Sequence, residues 1–518
     1  MQKGITITVF VSGMVSLAVE MAASRLLGNY FGTSNLIWAT IIGLILIYLT
    51  AGYFLGGAWS DRSPNASTFY QILLWAGLAI GVIPLISRPI LRVAANAFDG
   101  LQLGAMIGSF IAVLILFSIP VTLLGTASPF AIRLSLHDSR QAGSVSGKIY
   151  AISTLGSFIG TFLPGLVLIP LIGTYRTFLA FSLVLILTAL IGLGSVSGWR
   201  KAVLFIWMPV VIAILAIVGV RGADKTSRGL VYETESAYNY IQVLQQDGYT
   251  ILRLNEGQGM HSLYHPTQLN YFGPWEQVLV APFFNAAPYS TGDVHSMAIV
   301  GLAAGTTARQ ASQVYPDIQI DGIEIDPKIV SVARKYFDMN EPNLNVIIQD
   351  GRYALSNSQK KYDIISVDAY RPPYIPWHMT TQEFFQTVYD HLNENGSMAI
   401  NVGRAPNDRR LVNALVGTIR SVFPSVYVMD LPNSFNSIVF ATRQPTQAAN
   451  LQANFSALVQ QPQTPTLLVD TMAITVANLQ PTPDSKNVFT DDLTSIEWLT
   501  NDLVMSYFIG GDLEGLQQ

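Results

Sequence analysis

Two rhythms of apolar and polar positions divide this chain. Up to about residue 220 the apolar residues come in long unbroken runs, near 5–27, 37–59, 69–91, 103–127, 148–170, 177–197 and 202–220. Each approaches the ~20 apolar residues that span a hydrocarbon core, which predicts about seven transmembrane helices. Runs of this kind in succession leave no polar face for water, so buried helices of a large soluble domain do not fit. The first run turns directly into the second without a small-residue cleavage pattern and reads as a span, not as a removable signal. Beyond 230 the pattern shortens. "YNYIQVLQQDGYTILRLNEGQ" alternates with period two around an Asp-Gly pair, the signature of a hairpin. From 297 short apolar runs alternate with helical stretches. "MAIVGL", "IQIDGIEID", "LNVIIQD", "YDIISVD" and "GSMAINVG" read as strands, whereas "TTARQASQVY", "PKIVSVARKYF" and "TTQEFFQTVYDHLN" read as helices. That order predicts a parallel, doubly wound sheet. The expected organisation is a membrane domain over 1–222, a small β-rich subdomain over 223–290 and an α/β domain over 291–518. Residues 443–480, rich in Gln, Pro and Thr, read as a surface excursion.

Composition sharpens the first half of this picture. Half the residues are hydrophobic, 12% are charged and the mean hydropathy is +0.38, too apolar for an ordinary soluble protein. The net charge of −4 points away from a nucleic-acid partner. The absence of cysteine excludes disulfides, thiolate metal sites and a thiol nucleophile. His261 and His265 in "GMHSLYHP" have a spacing that could ligate a metal, but the surrounding Pro and Gly read as a loop and no third ligand is evident, so no metal is expected. Lys3, Arg62, Arg133, Arg140, Lys148, Arg200 and Lys201 share one side and favour an inside amino terminus. Arg221, Lys225 and Arg228, after the last run, pull the other way. Glu20 and Arg25 sit inside the first span, where a charge usually faces a partner or a polar cavity, and their offset allows an internal ion pair.

Ligands in open α/β sheets sit at the carboxyl ends of the strands, so candidate chemistry belongs where each apolar run stops. The first strand stops at Gly301-Leu302-Ala303-Ala304-Gly305, the second at Glu324 and Asp326, the next at Asp350-Gly351 and the next at Asp368. An acid about 20 residues after a glycine turn is placed to accept from ribose hydroxyls. Asp350 can accept from an adenine amino group.

With these residues in view, the carboxy-terminal half resembles the spermidine synthase family over roughly 230–500. The likeness rests on "AIVGLAAGTTARQA", "DGIEIDPKIVSVARKYF", "VIIQDGRYAL", "YDIISVDAYRPP" and "VFTDDLTSIEWL". The whole chain resembles the membrane-fused members of that family, through "AVEMAASRLLGNYFG" and "GYFLGGAWSDR". The resemblance implies a multi-span helical membrane domain before a small β-subdomain and a Rossmann-like domain of the class I methyltransferase and spermidine synthase type. It also implies transfer of an aminopropyl group from decarboxylated S-adenosylmethionine to an amine acceptor. Gly301, Ala304, Gly305, Glu324, Asp326, Asp350 and Gly351 would hold the donor, and Asp368 would be the carboxylate that aids amine deprotonation. Asn239, Trp275, Glu276, Gln277, Tyr370 and Arg371 would face the acceptor.

Departures from the family pattern open alternatives. The family's first turn carries an aspartate for the donor's amine, and here that place is Ala304. The family's second acceptor acid is Arg371 here, which repels a diamine and suits an anionic acceptor. Intact S-adenosylmethionine then becomes admissible, with methyl or aminocarboxypropyl transfer as the reaction. A further alternative is a transporter whose synthase-like domain senses a nucleoside. His378, Tyr370, Tyr374 and Trp377 lie in a proline- and aromatic-rich loop that could close over an acceptor. The expected setting is a lipid bilayer, as an integral multi-pass protein of a prokaryotic plasma membrane. Homo-oligomers are implied only by the soluble relatives.

Overall fold

The structure, a computed structural model, describes residues 2–31, 35–96, 103–218, 227–255, 259–369, 375–405, 407–500 and 502. Contacts divide the chain into two compact units. One comprises Met1–Thr226 with the turn Glu235–Tyr240, and the other Ser227–Thr234 with Ile241–Gln518.

The first unit is helical. Its long elements are Gln2–Phe31, Asn35–Arg62, Ala66–Asn96, Leu103–Gly125 continued by Ala127–Ser135, Ala142–Leu163 continued through a π turn at Pro164–Leu168, and Thr174–Ser197. Among the described residues, six helices are long and apolar enough to cross a membrane. The seventh expected run is broken instead into Trp199–Val203 and Trp207–Val218. Gly198, at φ 85°, ends the helix before it. Trp207–Val218 nevertheless runs alongside Ala66–Asn96 in the same direction. The Trp207 ring meets Trp75 with centroids 6.5 Å apart, and five residues on, Ile212 fills the space beside Gly81. These helices are apolar on all sides. Val15, Ala18, Leu26 and Leu27 are wholly buried, while Phe54 is 77% and Ile217 82% exposed on the outer surface. Close approach of backbones organises the interior. A Cβ on Gly156 would come within 2.0 Å of the Phe10 carbonyl oxygen, so only glycine lets Ala142–Leu163 lie against Gln2–Phe31 there.

Arg25 does not pair with Glu20. Its guanidinium donates to the carbonyl oxygens of Ser236 and Tyr238, in the turn that belongs to this unit. The Glu235 carboxylate accepts from Asn29 Nδ2 (3.0 Å) and Thr174 Oγ1 (2.6 Å).

The second unit contains two sheets. Strands β1 (Leu230–Glu235), β2 (Tyr240–Gln246), β3 (Tyr249–Leu254) and β4 (Met260–Tyr264) pair in sequence order. The β2–β3 turn uses Asp247 at φ 51° and Gly248 at φ 87°, the left-handed pair that matches strand twist in a two-residue hairpin. His261, expected in a loop, lies in β4.

The larger sheet has β5 (Ser296–Val300), β6 (Gln319–Glu324), β7 (Leu344–Ile348), β8 (Tyr362–Val367), β9 (Leu392–Gly403), β10 (Ser425–Asp430), β11 (Asn436–Thr442) and β12 (Leu479–Gln480). The order is β12-β10-β11-β9-β8-β5-β6-β7. The five strands β7, β6, β5, β8 and β9 are parallel, as alternation predicted. β11, β10 and β12 extend that sheet in antiparallel fashion. The chain leaves β5 toward β6 on one side and returns to β8 on the other. A crevice of the ligand-binding kind opens at such a reversal. Residues 443–480 are not a surface excursion. They hold helices Ala448–Val459 and Thr466–Asn478, whose Leu451, Leu458, Leu468 and Met472 are buried in the core at helical spacing.

Candidate active site

The turn after β5 is built by backbone. The Gly301 and Leu302 N–H groups both donate to the Ile323 carbonyl oxygen, each at 3.0 Å. Gly301 has φ 98°, and a Cβ there would lie 2.5 Å from the Asp368 carbonyl oxygen. Only glycine lets the first strand end pass so close to the fourth. Gly305, at φ 82°, begins the helix Thr306–Val314. The small sheet is stitched to this turn: Ala304 N–H donates to Ser262 Oγ (2.9 Å) and Thr306 Oγ1 donates to the Leu263 carbonyl oxygen (2.9 Å). Ala304 and Ser262 are buried.

Glu324, at the end of β6, accepts from the N–H groups of Ala303 and Asp326, each at 3.0 Å. It thereby ties the glycine turn to the second strand end. Loss of hydration pushes its carboxyl up to about 7, although those N–H bonds favour the charged form. Asp326, expected beside the donor, is buried and caps the helix Pro327–Tyr336 through Lys328 N–H (2.9 Å). Asp350 caps the helix Gly351–Ser356 through Tyr353 N–H, and its second oxygen lies 3.3 Å from His378 Nε2. Its carboxylate keeps about a third of its surface accessible. Gly351 packs its backbone against Val300 and Met379.

Asp368 follows β8. Its N–H donates to the Val300 carbonyl oxygen (2.8 Å), which fixes it beside the glycine turn. It retains a little solvent access, but the surrounding protein strips enough hydration to push its carboxyl up to about 7. A hydrogen bond from Asn401 Nδ2, at 3.1 Å, works in the opposite direction. Asn401 is the side chain beside Asp368 that strand-end reasoning passed over. Its signal is the polar residue that interrupts "GSMAINVG" one strand beyond Asp368. Gly301, Glu324 and Asp368 thus converge on the β5 turn, with Asp350 at the neighbouring strand end.

Two of the expected acceptor-side residues, Glu276 and Gln277, are engaged by protein partners. Glu276 is buried and occupied, with Oε1 accepting from Gly273 N–H (2.7 Å) and Oε2 from Gln310 Nε2 (3.1 Å). "GPWE" is a helix start, and Glu276 is the acid of its first turn. Burial raises its carboxyl above the ordinary range. Gln277 accepts from Thr475 Oγ1 (2.8 Å), and Trp275 is packed in the interior. Asn239 is buried in the Glu235–Tyr240 turn, where its N–H donates to Ser236 Oγ. Tyr370, Arg371 and Tyr374 lie outside the described residues.

Comparison with known proteins adds a family to this geometry. Residues 289–452 match the family model described as the spermine/spermidine synthase domain. A protein of Bifidobacterium longum named "Probable polyamine aminopropyl transferase" is 38% identical over 228 residues, which is 41% of this chain and 47% of that relative. The chain therefore spans about half that relative's length. A polyamine aminopropyltransferase of Vibrio vulnificus is 27% identical over 241 residues, 44% of this chain and 77% of that protein. Among solved structures, the spermidine synthase of Thermotoga maritima is similar at 19% identity and a TM-score of 0.40, covering 49% of this chain and 84% of that one. The carboxy-terminal part of this chain carries a spermidine synthase domain.

Proposed function

We propose that the sheet unit is a transferase that moves an aminopropyl group from decarboxylated S-adenosylmethionine to an amine, and that the helical unit holds it in a lipid bilayer. The observation that carries the first part is the meeting of Gly301, Glu324 and Asp368 at the sheet's reversal point, with a carboxyl of about 7 at Asp368. Glu324 accepts from the ribose hydroxyls and Asp350 from the adenine amine, while the glycine turn admits the nucleoside to the backbone. The amine nitrogen attacks the carbon bound to the sulfonium. The N–C bond forms as the C–S bond breaks, and the electron pair leaves on sulfur as a neutral thioether. Asp368 takes the proton that the new ammonium must lose. A group that titrates near neutrality suits that exchange, and the rest of the site supplies orientation.

A second reading keeps the chemistry and changes the donor. Ala304 offers no charge to a donor amine, and Glu276 is already occupied by Gly273 and Gln310, so it cannot stand in. This favours a donor whose amine is balanced by its own carboxylate, intact S-adenosylmethionine, with methyl or aminocarboxypropyl as the group moved. Turnover and calorimetry of the full chain in detergent, with both donors and an amine, separate the two. Transfer only from the decarboxylated donor supports the first reading. Transfer only from the intact donor selects the second, and no transfer from either sinks both.

The bilayer reading rests on the six long apolar helices and their apolar outer faces. Trp207–Val218 adds a seventh crossing, because it leaves the side where Ser197 ends and runs with Ala66–Asn96. The amino terminus and the Glu235–Tyr240 turn then face opposite sides. The natural absence of cysteine permits a direct check. Single cysteines at Asn65 and Ala237, probed with an impermeant maleimide in intact cells and inverted vesicles, are expected to label from opposite sides. Labelling from the same side removes the seventh crossing. Release of the protein from membranes by carbonate removes the bilayer reading itself.

A further inference from the structure

The row of the sheet that carries Asp368 holds one more polar side chain. β8 and β9 pair in parallel register with Val367 opposite Ile400, which brings Asn401 beside Asp368. Asn401 Nδ2 donates to Asp368 Oδ1 at 3.1 Å. That bond orients the amide, since the reverse placement would set a carbonyl oxygen against a carboxylate. The other end of the amide, Oδ1, is buried and has no hydrogen-bond partner among the described residues. Its neighbour across the next strand pair is Ile438, which offers no polar side chain. On the far side of Asp368 stands Gly301, with no side chain at all. A buried acceptor left without a donor costs stability, and native proteins retain few of them. A ligand N–H delivered to this row would satisfy it.

We propose that Asn401 Oδ1 accepts an N–H of the acceptor amine and, together with Asp368, aims the nitrogen lone pair at the donor carbon. This rests on the transferase reading above. A neutral primary amine has two N–H bonds and one lone pair. Asp368 accepts one N–H and Asn401 Oδ1 the other, which leaves the lone pair as the only free direction on nitrogen. When the N–C bond forms and the C–S electron pair leaves on sulfur, the proton shed by nitrogen passes to Asp368, and Asn401 stays neutral throughout. Asparagine suits the place better than an acid would. A second carboxylate beside Asp368 would hold the incoming nitrogen as an ammonium, whose lone pair is blocked.

The test uses the full chain in detergent with the donor that supports turnover. Asn401→Ser and Asn401→Leu are compared with the unaltered protein for kcat, KM of the amine and binding of methylthioadenosine, with melting midpoints as a check on folding. Both variants are expected to lose about 10- to 100-fold in kcat/KM for the amine, with methylthioadenosine affinity unchanged within about twofold. Asn401→Asp is expected to move the acid limb of the kcat/KM profile to higher pH, which a purely structural asparagine would not do. The inference is overturned if well-folded Asn401→Ser leaves amine kinetics unchanged, or if methylthioadenosine binding falls in step with rate. An unaltered protein that transfers nothing to any amine overturns the transferase reading as well, and so differs from failure of the Asn401 role alone.

Discussion

In the helical unit the decisive positions are those where side chains are missing. Gly156 and Gly160 lie one helical turn apart, and each would drive a Cβ to within 2.0 Å of a backbone oxygen on the helix Gln2–Phe31. In the sheet unit the decisive positions carry charge against its natural preference, with Glu324 and Asp368 both pushed up to about 7 by lost hydration. One region gains stability by bringing backbones together, and the other tolerates costly burial of carboxylates around one turn. Close backbone contact at glycines suits the holding role proposed above for the helical unit. Burial that raises carboxyls toward neutrality suits proton exchange at ordinary pH. Changes in one region should therefore leave the function of the other measurable.

The largest effect is expected at Asp368. Asp368→Asn keeps the size of the side chain and removes the proton acceptor, so kcat should fall by about 10²- to 10⁴-fold. Donor binding should persist. In the unaltered protein kcat/KM should rise with pH through about 7, because only the ionised carboxylate can take the proton. The same group leaves a mark on stability. Its folded pKa lies above the unfolded value, so the folded state holds a proton that the unfolded state has lost between about pH 4 and 7. Asp368→Asn should therefore gain in melting midpoint relative to the unaltered protein as pH rises across that window, and no further above it. A midpoint difference that shrinks with rising pH would contradict the burial assigned to Asp368.

Gly156→Val tests the other side of the comparison. The added side chain must displace the Phe10 backbone, and overpacking of a tight contact typically costs about 1–3 kcal/mol. The helical unit should unfold or aggregate at lower temperature in detergent. Methylthioadenosine binding, measured by calorimetry below that temperature, should remain. Loss of nucleoside binding in a folded Gly156→Val protein would show that the two regions are not independent.

Glu324 offers a smaller and finer test. If ribose hydroxyls need its ionised form, methylthioadenosine affinity should weaken as pH drops below about 7, approaching tenfold per pH unit at the limit. Glu324→Gln should bind more weakly at high pH and lose this dependence, because an amide cannot accept from both Ala303 and Asp326 without turning a donor toward one of them. Titration calorimetry between pH 6 and 8 reads both. A pH-independent affinity in the unaltered protein would remove Glu324 from the ribose.

Much of this was legible in the residues, for identifiable reasons. Alternating apolar runs located the five parallel strands, and their polar ends located Gly301, Glu324, Asp350 and Asp368. The same rule, applied one strand further, reaches Asn401. Asp326 is ambiguous in sequence, because an acid before Pro327 serves equally as a ligand-facing group and as a helix cap, and in the fold it caps Pro327–Tyr336. Glu276 is ambiguous in the same way, since "GPWE" faces the acceptor by likeness and starts a helix by physics. The Gln and Pro content of 443–480 suggests a surface excursion, yet Leu451 and Leu458 have helical spacing and lie in a buried helix face. The seventh apolar run was visible as hydropathy, but its break into Trp199–Val203 and Trp207–Val218 was not. Charge across the loops could not settle sidedness, whereas the contacts of Asn29 and Thr174 with Glu235 place that turn at one end of the bundle.

The smallest effect concerns the segment that follows Asp368. Arg352 grips the Asp491 carboxylate through two nitrogens, at 2.7 and 2.6 Å, and also donates to the His378 carbonyl oxygen at 2.9 Å. Asp491 in turn accepts from Thr381 Oγ1, and its own N–H donates to Glu383. The late segment around Asp491 thus pins the stretch that brings His378 against Asp350. Part of this network faces water, so the pair itself contributes no more than about 1 kcal/mol. Arg352→Lys keeps the charge but replaces a planar fork by a single rotating ammonium, which lacks the parallel pair of N–H groups that matches both carboxylate oxygens. The donor KM should then rise about two- to fivefold, the equivalent of that energy, while kcat stays unchanged. Equal losses in kcat and kcat/KM would mean that the pinned stretch acts in the transfer step itself.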